Sequence, residues 1–153
     1  MKLAEALSKR AALTSKVQQL RDRLSSCLKV QEGDTPSEMP TDVVVELDNT
    51  LDELQQLIYR INMTNSKTEL DGTTITGLLA KRDILSMRTR TLNHALTRLT
   101  EREDRYARNE IRYVRTMDVN ELRKLYDTSA AQLRKLDLTI QSIGWTTDLL
   151  ENV

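Results

Sequence analysis

The sequence contains no phenylalanine, one tryptophan and four tyrosines in 153 residues. Large aromatic rings supply much of the apolar contact in ordinary globular cores. A core here has to be built from Leu, Ile, Val, Ala and Met, as in helical bundles and coiled coils. Four glycines and two prolines leave few interruptions, which favours long helices. The lone cysteine, Cys27, excludes an intramolecular disulfide framework and fits a reducing, cytoplasmic setting. Long apolar runs are missing too: the longest is three residues, as in Val43 to Val45, against about 20 for a membrane-spanning helix. The opening M-K-L-A-E-A-L-S-K-R has no apolar secretory region. The one histidine, His94, lacks the glutamate three residues earlier that carboxylate-bridged metal bundles use. No metal and no cofactor is therefore expected.

What the chain does have is apolar residues at alternating spacings of three and four, the pattern of a heptad-striped helix. Leu3, Ala6, Arg10, Leu13, Val17, Leu20, Leu24 and Cys27 predict a first helix over about 2–29. Arg10 is the one charge on that stripe, and it is expected to reach solvent. Residues 30–40, punctuated by Gly33, Pro36 and Pro40, read as a linker. Thr41 is the predicted cap of a second helix over about 41–62, striped by Val44, Leu47, Leu51, Leu54, Ile58 and Ile61. Leu78, Leu85, Leu92, Leu96 and Leu99, with Arg82 and Thr89 in the intervening slots, predict a third over about 77–102. Asp118 with Glu121 makes a capping-box-like start for a fourth over about 118–143. Leu122, Tyr126, Ser129, Leu133, Leu136, Ile140 and Ile143 stripe it, Gly144 is placed to stop it, and Trp145 is expected to pack.

Between the two helix pairs the periodicity lapses. Residues 63–76 are rich in Asn, Thr and Ser and carry Asp71-Gly72, the composition of a type I′ hairpin turn. In that register Leu70 faces Thr73 and Glu69 faces Thr74, and Thr76 is a candidate cap for the third helix. Residues 110–116 alternate in character and predict a short third strand that could join this hairpin. The fold class is thus mainly α. Four long helices form antiparallel hairpins, bundle- or coiled-coil-like, with a small β-hairpin and a third strand, in one domain spanning 1–153.

Charge sums to zero but is unevenly spread. Residues 1–31 hold seven basic and two acidic side chains, residues 32–56 eight acidic and no basic ones, and residues 81–115 ten basic and five acidic. Either oppositely charged helices lie side by side, or a basic face serves an anionic ligand. Arginine with interleaved tyrosine over 98–115 suits RNA or phosphate, but Glu101, Glu103, Asp104 and Glu110 cancel much of the field. Nucleic acid is therefore an unfavoured partner.

Seven segments together carry a family likeness: M-K-L-A-E-A-L at the start, K-V-Q-E-G at 29–33, I-N-M-T-N-S at 61–66, D-G-T-T-I-T at 71–76, L-A-K-R-D at 79–83, D-R-Y-A-R-N-E-I at 104–111 and W-T-T-D-L-L at 145–150. Across essentially its whole length the chain resembles a bacterial family of uncharacterised proteins, some labelled septicolysin. The resemblance implies a helical, cytoplasmic homo-oligomer with no assigned chemistry. The label implies a pore-forming toxin. The sequence argues against that, with no export signal, no membrane-length apolar segment and no long alternating strands.

Nothing in the sequence matches a nucleophile–base pair or a phosphate-cradling glycine loop. The expected role is that of a non-enzymatic structural or assembly protein that associates with itself. An alternative is a site for an anionic small molecule at the polar elbow, drawn from Asn62, Thr64, Asn65, Arg82, Asp83, Arg105, Tyr106 and Glu110, since Arg and Tyr beside Asn and Thr suit phosphorylated ligands.

Overall fold

The computed structural model describes residues 1–102 and 111–151. In chain order these form α1 (Leu3–Cys27), α2 (Pro40–Lys67), β1 (Glu69–Leu70), β2 (Thr73–Thr74), α3 (Ile75–Thr100) and α4 (Val119–Thr146). The fold is mainly α, four helices and one two-stranded antiparallel sheet. The described residues group into two compact units. One is Met1–Thr74 with the segment from Ser142 on, and the other is Ile75–Gln141. No helix among the described residues is long and apolar enough to cross a membrane.

In the first unit α1 and α2 pack antiparallel. Lys9 pairs with Glu53 at 2.6 Å and Lys16 with Glu46 at 3.1 Å, so an advance along one helix is a retreat along the other. The α1 stripe faces inward as its spacing predicts: Leu3, Ala6, Leu13, Leu20 and Cys27 are buried and Arg10 is exposed. Leu20, Cys27 and Val43 form a cluster joined by Leu24 and Leu47. The inward face of α2 keeps half of the predicted stripe: Leu47 packs against that cluster, Leu54 is half-buried and Ile61 is buried, while the alternate slots differ. Val43, Thr50, Leu57, Ile61 and Thr64 are buried, whereas Val44, Leu51 and Ile58 are 39%, 42% and 38% exposed. Two threonines sit inside because each hydroxyl donates to a carbonyl one turn back, Thr50 to Glu46 and Thr64 to Arg60, both at 2.8 Å. A hydroxyl satisfied by its own helix can be buried cheaply, and positions 43, 50 and 57 take the inward slots predicted for 44, 51 and 58.

Other boundaries shift for local reasons. Helix α2 begins at Pro40 with Met39 as its cap residue, not at Thr41, because proline needs no N–H in the first turn. It runs on to Lys67, taking up residues assigned to the elbow. The hairpin that follows has the expected register, Glu69 opposite Thr74 and Leu70 opposite Thr73. Asp71 at φ 49° and Gly72 at φ 77° give the two left-handed residues that a type I′ turn requires. Helix α3 starts at Ile75, directly after β2, so Thr76 lies inside it.

In the second unit the predicted stripes of α3 and α4 face each other. Thr89 and Ser129 meet at 2.7 Å, and Leu122 is buried. Asp118 caps α4 by accepting the Glu121 N–H at 3.0 Å. The third strand does not form. Among the described residues, 111–116 pair with nothing as a strand, and Ile111, Tyr113 and Val114 are 92%, 78% and 74% exposed. Two-residue strands offer an edge too short to hold a third. Residue 110 lies outside the described residues.

Gly144 does not stop α4, which continues to Thr146. A Cβ at Gly144 would meet the Ala4 Cβ at 3.7 Å, so the glycine marks a close approach to α1 and not a terminus. Trp145, one residue on, is 65% exposed within the chain, which leaves a neighbouring subunit as the partner the sequence reading also allows.

Candidate functional site

Of the eight elbow residues proposed from sequence, Asn62, Thr64 and Asn65 lie in the last turns of α2, exposed, buried and half-buried respectively. Thr64 is committed to structure. Its hydroxyl donates to the Arg60 carbonyl and accepts the Leu150 N–H at 3.0 Å. Arg60 adds a bond from Nε to the Leu150 carbonyl at 2.9 Å. These two hold the segment after α4 against α2. The same segment reaches α1: Leu3 N–H donates to Thr147, Leu149 N–H donates to the Met1 carbonyl, and Leu149 is buried. Lys2 Nζ closes the arrangement at 2.9 Å from Asp148, and that charge holds the Asp148 carboxyl below the usual carboxylate range. Arg82 and Asp83 belong to the second unit and pair with each other at 3.0 Å. Arg105, Tyr106 and Glu110 lie outside the described residues.

The strongest electrostatic feature joins α1 to α2. Arg23 donates to both Glu38 and Glu46, and Lys16 also contacts Glu46. The hydrogen bond from Arg23 lowers the Glu38 pKa. Lys16 first and then Arg23 lower that of Glu46, and both acids raise that of Arg23. The basic first helix does therefore lie against the acidic second one. This cluster is solvated ion pairing, its side chains about two-fifths exposed. No group of His, Cys, Asp and Glu among the described residues could hold a metal ion.

Two concave surfaces occur in the second unit. A groove of about 720 Å³ runs between α3 and α4 over Ala80, Ile84, Leu85 and Leu136, rimmed by Lys81, Arg88 and Lys135. A smaller hollow of about 290 Å³ adjoins it, sharing Arg88 and Gln132 and adding Lys124 and Leu125. The sequence reasoning missed this groove. Its signal was present in Ile84, an apolar residue off the seven-residue stripe and 66% exposed. The other surface, about 710 Å³, lies where α3 ends, with Arg98, Arg102, Arg112 and Arg115 around it. There Arg98 pairs with Glu101 at 3.0 Å and Arg115 Nε donates to the Leu99 carbonyl at 3.1 Å. Part of the guanidinium charge is thus spent on tying the chain down.

Residues 10–149 match a family described as a family of unknown function (DUF6847). The chain belongs to that family. A solved structure described as a functionally unknown conserved protein from Corynebacterium diphtheriae is similar throughout. It shares 41% identity over 98% of this chain and 99% of the other, with a TM-score of 0.89. No curated protein matches the chain. The relative shares the fold, and neither description adds a reaction or a ligand to it.

Proposed function

We propose that this protein is a helical assembly component that works by associating with copies of itself and carries out no chemistry of its own. One observation carries the reading. In the second unit the stripe leucines of α3 and α4, among them Leu78, Leu85, Leu92, Leu133 and Leu136, remain only half-buried. What α3 and α4 bury at their middle is a pair of hydroxyls, Thr89 and Ser129. A helix pair with one apolar stripe each needs another layer to cover it, and bundles of this kind are completed by further helices packed in the same way. Off-stripe side chains add to the uncovered surface, with Ile84 at 66%, Met87 at 56% and Leu138 at 67% exposure.

A second copy is the simplest source of the missing layer, since closed homo-oligomers are the common outcome for soluble chains. A reducing, cytoplasmic setting is part of the same reading, and the free, buried thiol of Cys27 fits it. The likeness to proteins labelled septicolysin enters as kinship only, and the assembly proposed is not a pore. Size-exclusion chromatography with light scattering tests the reading. A species of at least twice 17.6 kDa is expected. A monodisperse particle of 17.6 kDa at about 100 μM, a concentration at which even a weak dimer of about 10 μM Kd is mostly associated, refutes it.

A further inference from the structure

Resting on the self-association proposed above, we infer its geometry: α2 of one copy lies in the α3–α4 groove of another, and the exchange is reciprocal. The groove has an apolar floor of Ala80, Ile84, Leu85 and Leu136 and a rim of Lys81, Arg88, Lys124 and Lys135. Among the described residues no acidic side chain lines it. Helix α2 offers the complement. Val44, Leu51 and Ile58 form a ridge at intervals of seven, each about two-fifths exposed. Asp48 lies between them one turn on from Val44, and Asp52 sits beside Leu51, both exposed.

None of these six charged side chains belongs to an ion pair among the described residues. The lysines and glutamates that join α1 to α2 are already matched there. The acids left over on α2 and the cations left over on the groove are of opposite sign.

The dimensions agree. At 1.5 Å per residue the ridge from Val44 to Ile58 is about 21 Å long, and the α4 wall from Lys124 to Thr139 is about 22 Å. Laying an amphipathic helix into an apolar groove is an established mode of recognition, read from anchors one or two turns apart. Charge also decides among the ways two copies could meet. Groove against groove brings four cations to four cations, and ridge against ridge brings aspartates to aspartates. Juxtaposed like charges are costly. Ridge into groove is the arrangement that pairs them, and a two-fold axis repeats it to form both contacts at once.

Two charge-reversed proteins test this. The first carries Arg88→Glu with Lys135→Glu, and the second carries Asp48→Lys with Asp52→Lys. All four positions are exposed, and circular dichroism melts confirm that each protein folds. Each alone places like charges at both contacts and is expected to lose at least tenfold in self-affinity, so that it runs at monomer mass where the unaltered chain does not. Mixed in equal amounts they restore opposite charge at both contacts, and a heterodimer identified by mass tagging is expected. If the unaltered chain associates but either reversed protein alone keeps its mass, or the mixture stays monomeric, the geometry is wrong while self-association stands. If the unaltered chain is itself a monomer, both fall. Should a double substitution fail to fold, the Lys135→Gln and Asp48→Asn single variants replace it. Each is then expected to weaken association in low salt and to have little effect at about 1 M salt, where screening acts within about 3 Å.

Discussion

Thr89→Val should cost more stability than Ser129→Ala, although both remove one hydroxyl from the same buried pair. Thr89 Oγ1 donates to the Leu85 carbonyl at 2.8 Å. Its hydrogen is therefore used, and it meets Ser129 Oγ, 2.7 Å away, as the acceptor. Ser129 is wholly buried and Thr89 is 9% exposed. Valine preserves the shape of threonine but strands the Ser129 O–H without a partner, a penalty of about 1–3 kcal/mol. Alanine at 129 removes the donor itself. Thr89 keeps its bond to Leu85, so the loss is about 0.5–1.5 kcal/mol, offset by about 0.5 kcal/mol of better helix propensity. The double variant strands nothing. Its cost should fall short of the sum of the singles by about 1 kcal/mol, within the range of coupling for residues in contact. Urea unfolding followed by circular dichroism, at one fixed protein concentration for all four chains, measures the cycle. Additive costs, or a Ser129→Ala penalty equal to that of Thr89→Val, would refute the assigned direction of the hydrogen bond.

Two further outcomes follow from the first unit. Gly144→Ala should raise Tm by about 2–4 °C, since an added Cβ meets Ala4 at an ordinary 3.7 Å and alanine is favoured over glycine inside a helix by about 1 kcal/mol. Gly144→Leu should lower Tm by overpacking the same approach, and calorimetry separates the two. Glu38, Glu46 and Asp148 all have pKa values lowered in the folded state. Their stabilisation is complete above the unfolded values near 4 and is lost as pH falls through the folded ones. The urea midpoint should thus stay level from pH 7 to 5 and drop below about pH 4, and an unchanged midpoint at pH 3 would overturn that assignment.

The fold could be read in outline because leucine spacing and turn chemistry are local. The α3 and α4 stripes hold to the residue, Thr89 and Ser129 included, since both occupy slots in a seven-residue grid that leucines define on either side. The hairpin register follows from Asp71-Gly72, a pair that selects one turn type. On α2 the slots of Leu47, Leu54 and Ile61 hold, and the alternate slots differ by one position because Thr50 and Thr64 look polar in a sequence, and only their bonds to Glu46 and Arg60 make them fit to bury. Gly144 was read as a stop because a glycine needed for closeness to another helix is indistinguishable in sequence from one needed for a left-handed turn. Alternation over residues 111–116 resembled a strand, but a strand depends on an edge to pair with, which no local pattern encodes. At the elbow, Thr64 has the predicted place, and its hydroxyl satisfies the Leu150 N–H. The groove escaped notice because apolar residues off a stripe carry no periodic mark.

The clasp of Leu3, Met1 and Lys2 onto Thr147, Leu149 and Asp148 has a kinetic consequence. Lys2 donates to the Thr146 carbonyl across 144 positions of sequence, so α1 must wait for the segment after α4 before its own contacts are complete. Contacts of such separation slow folding, because the loop has to close before they contribute. The intervening helices can order themselves meanwhile, which makes the pairing of these two distant segments a late event in folding.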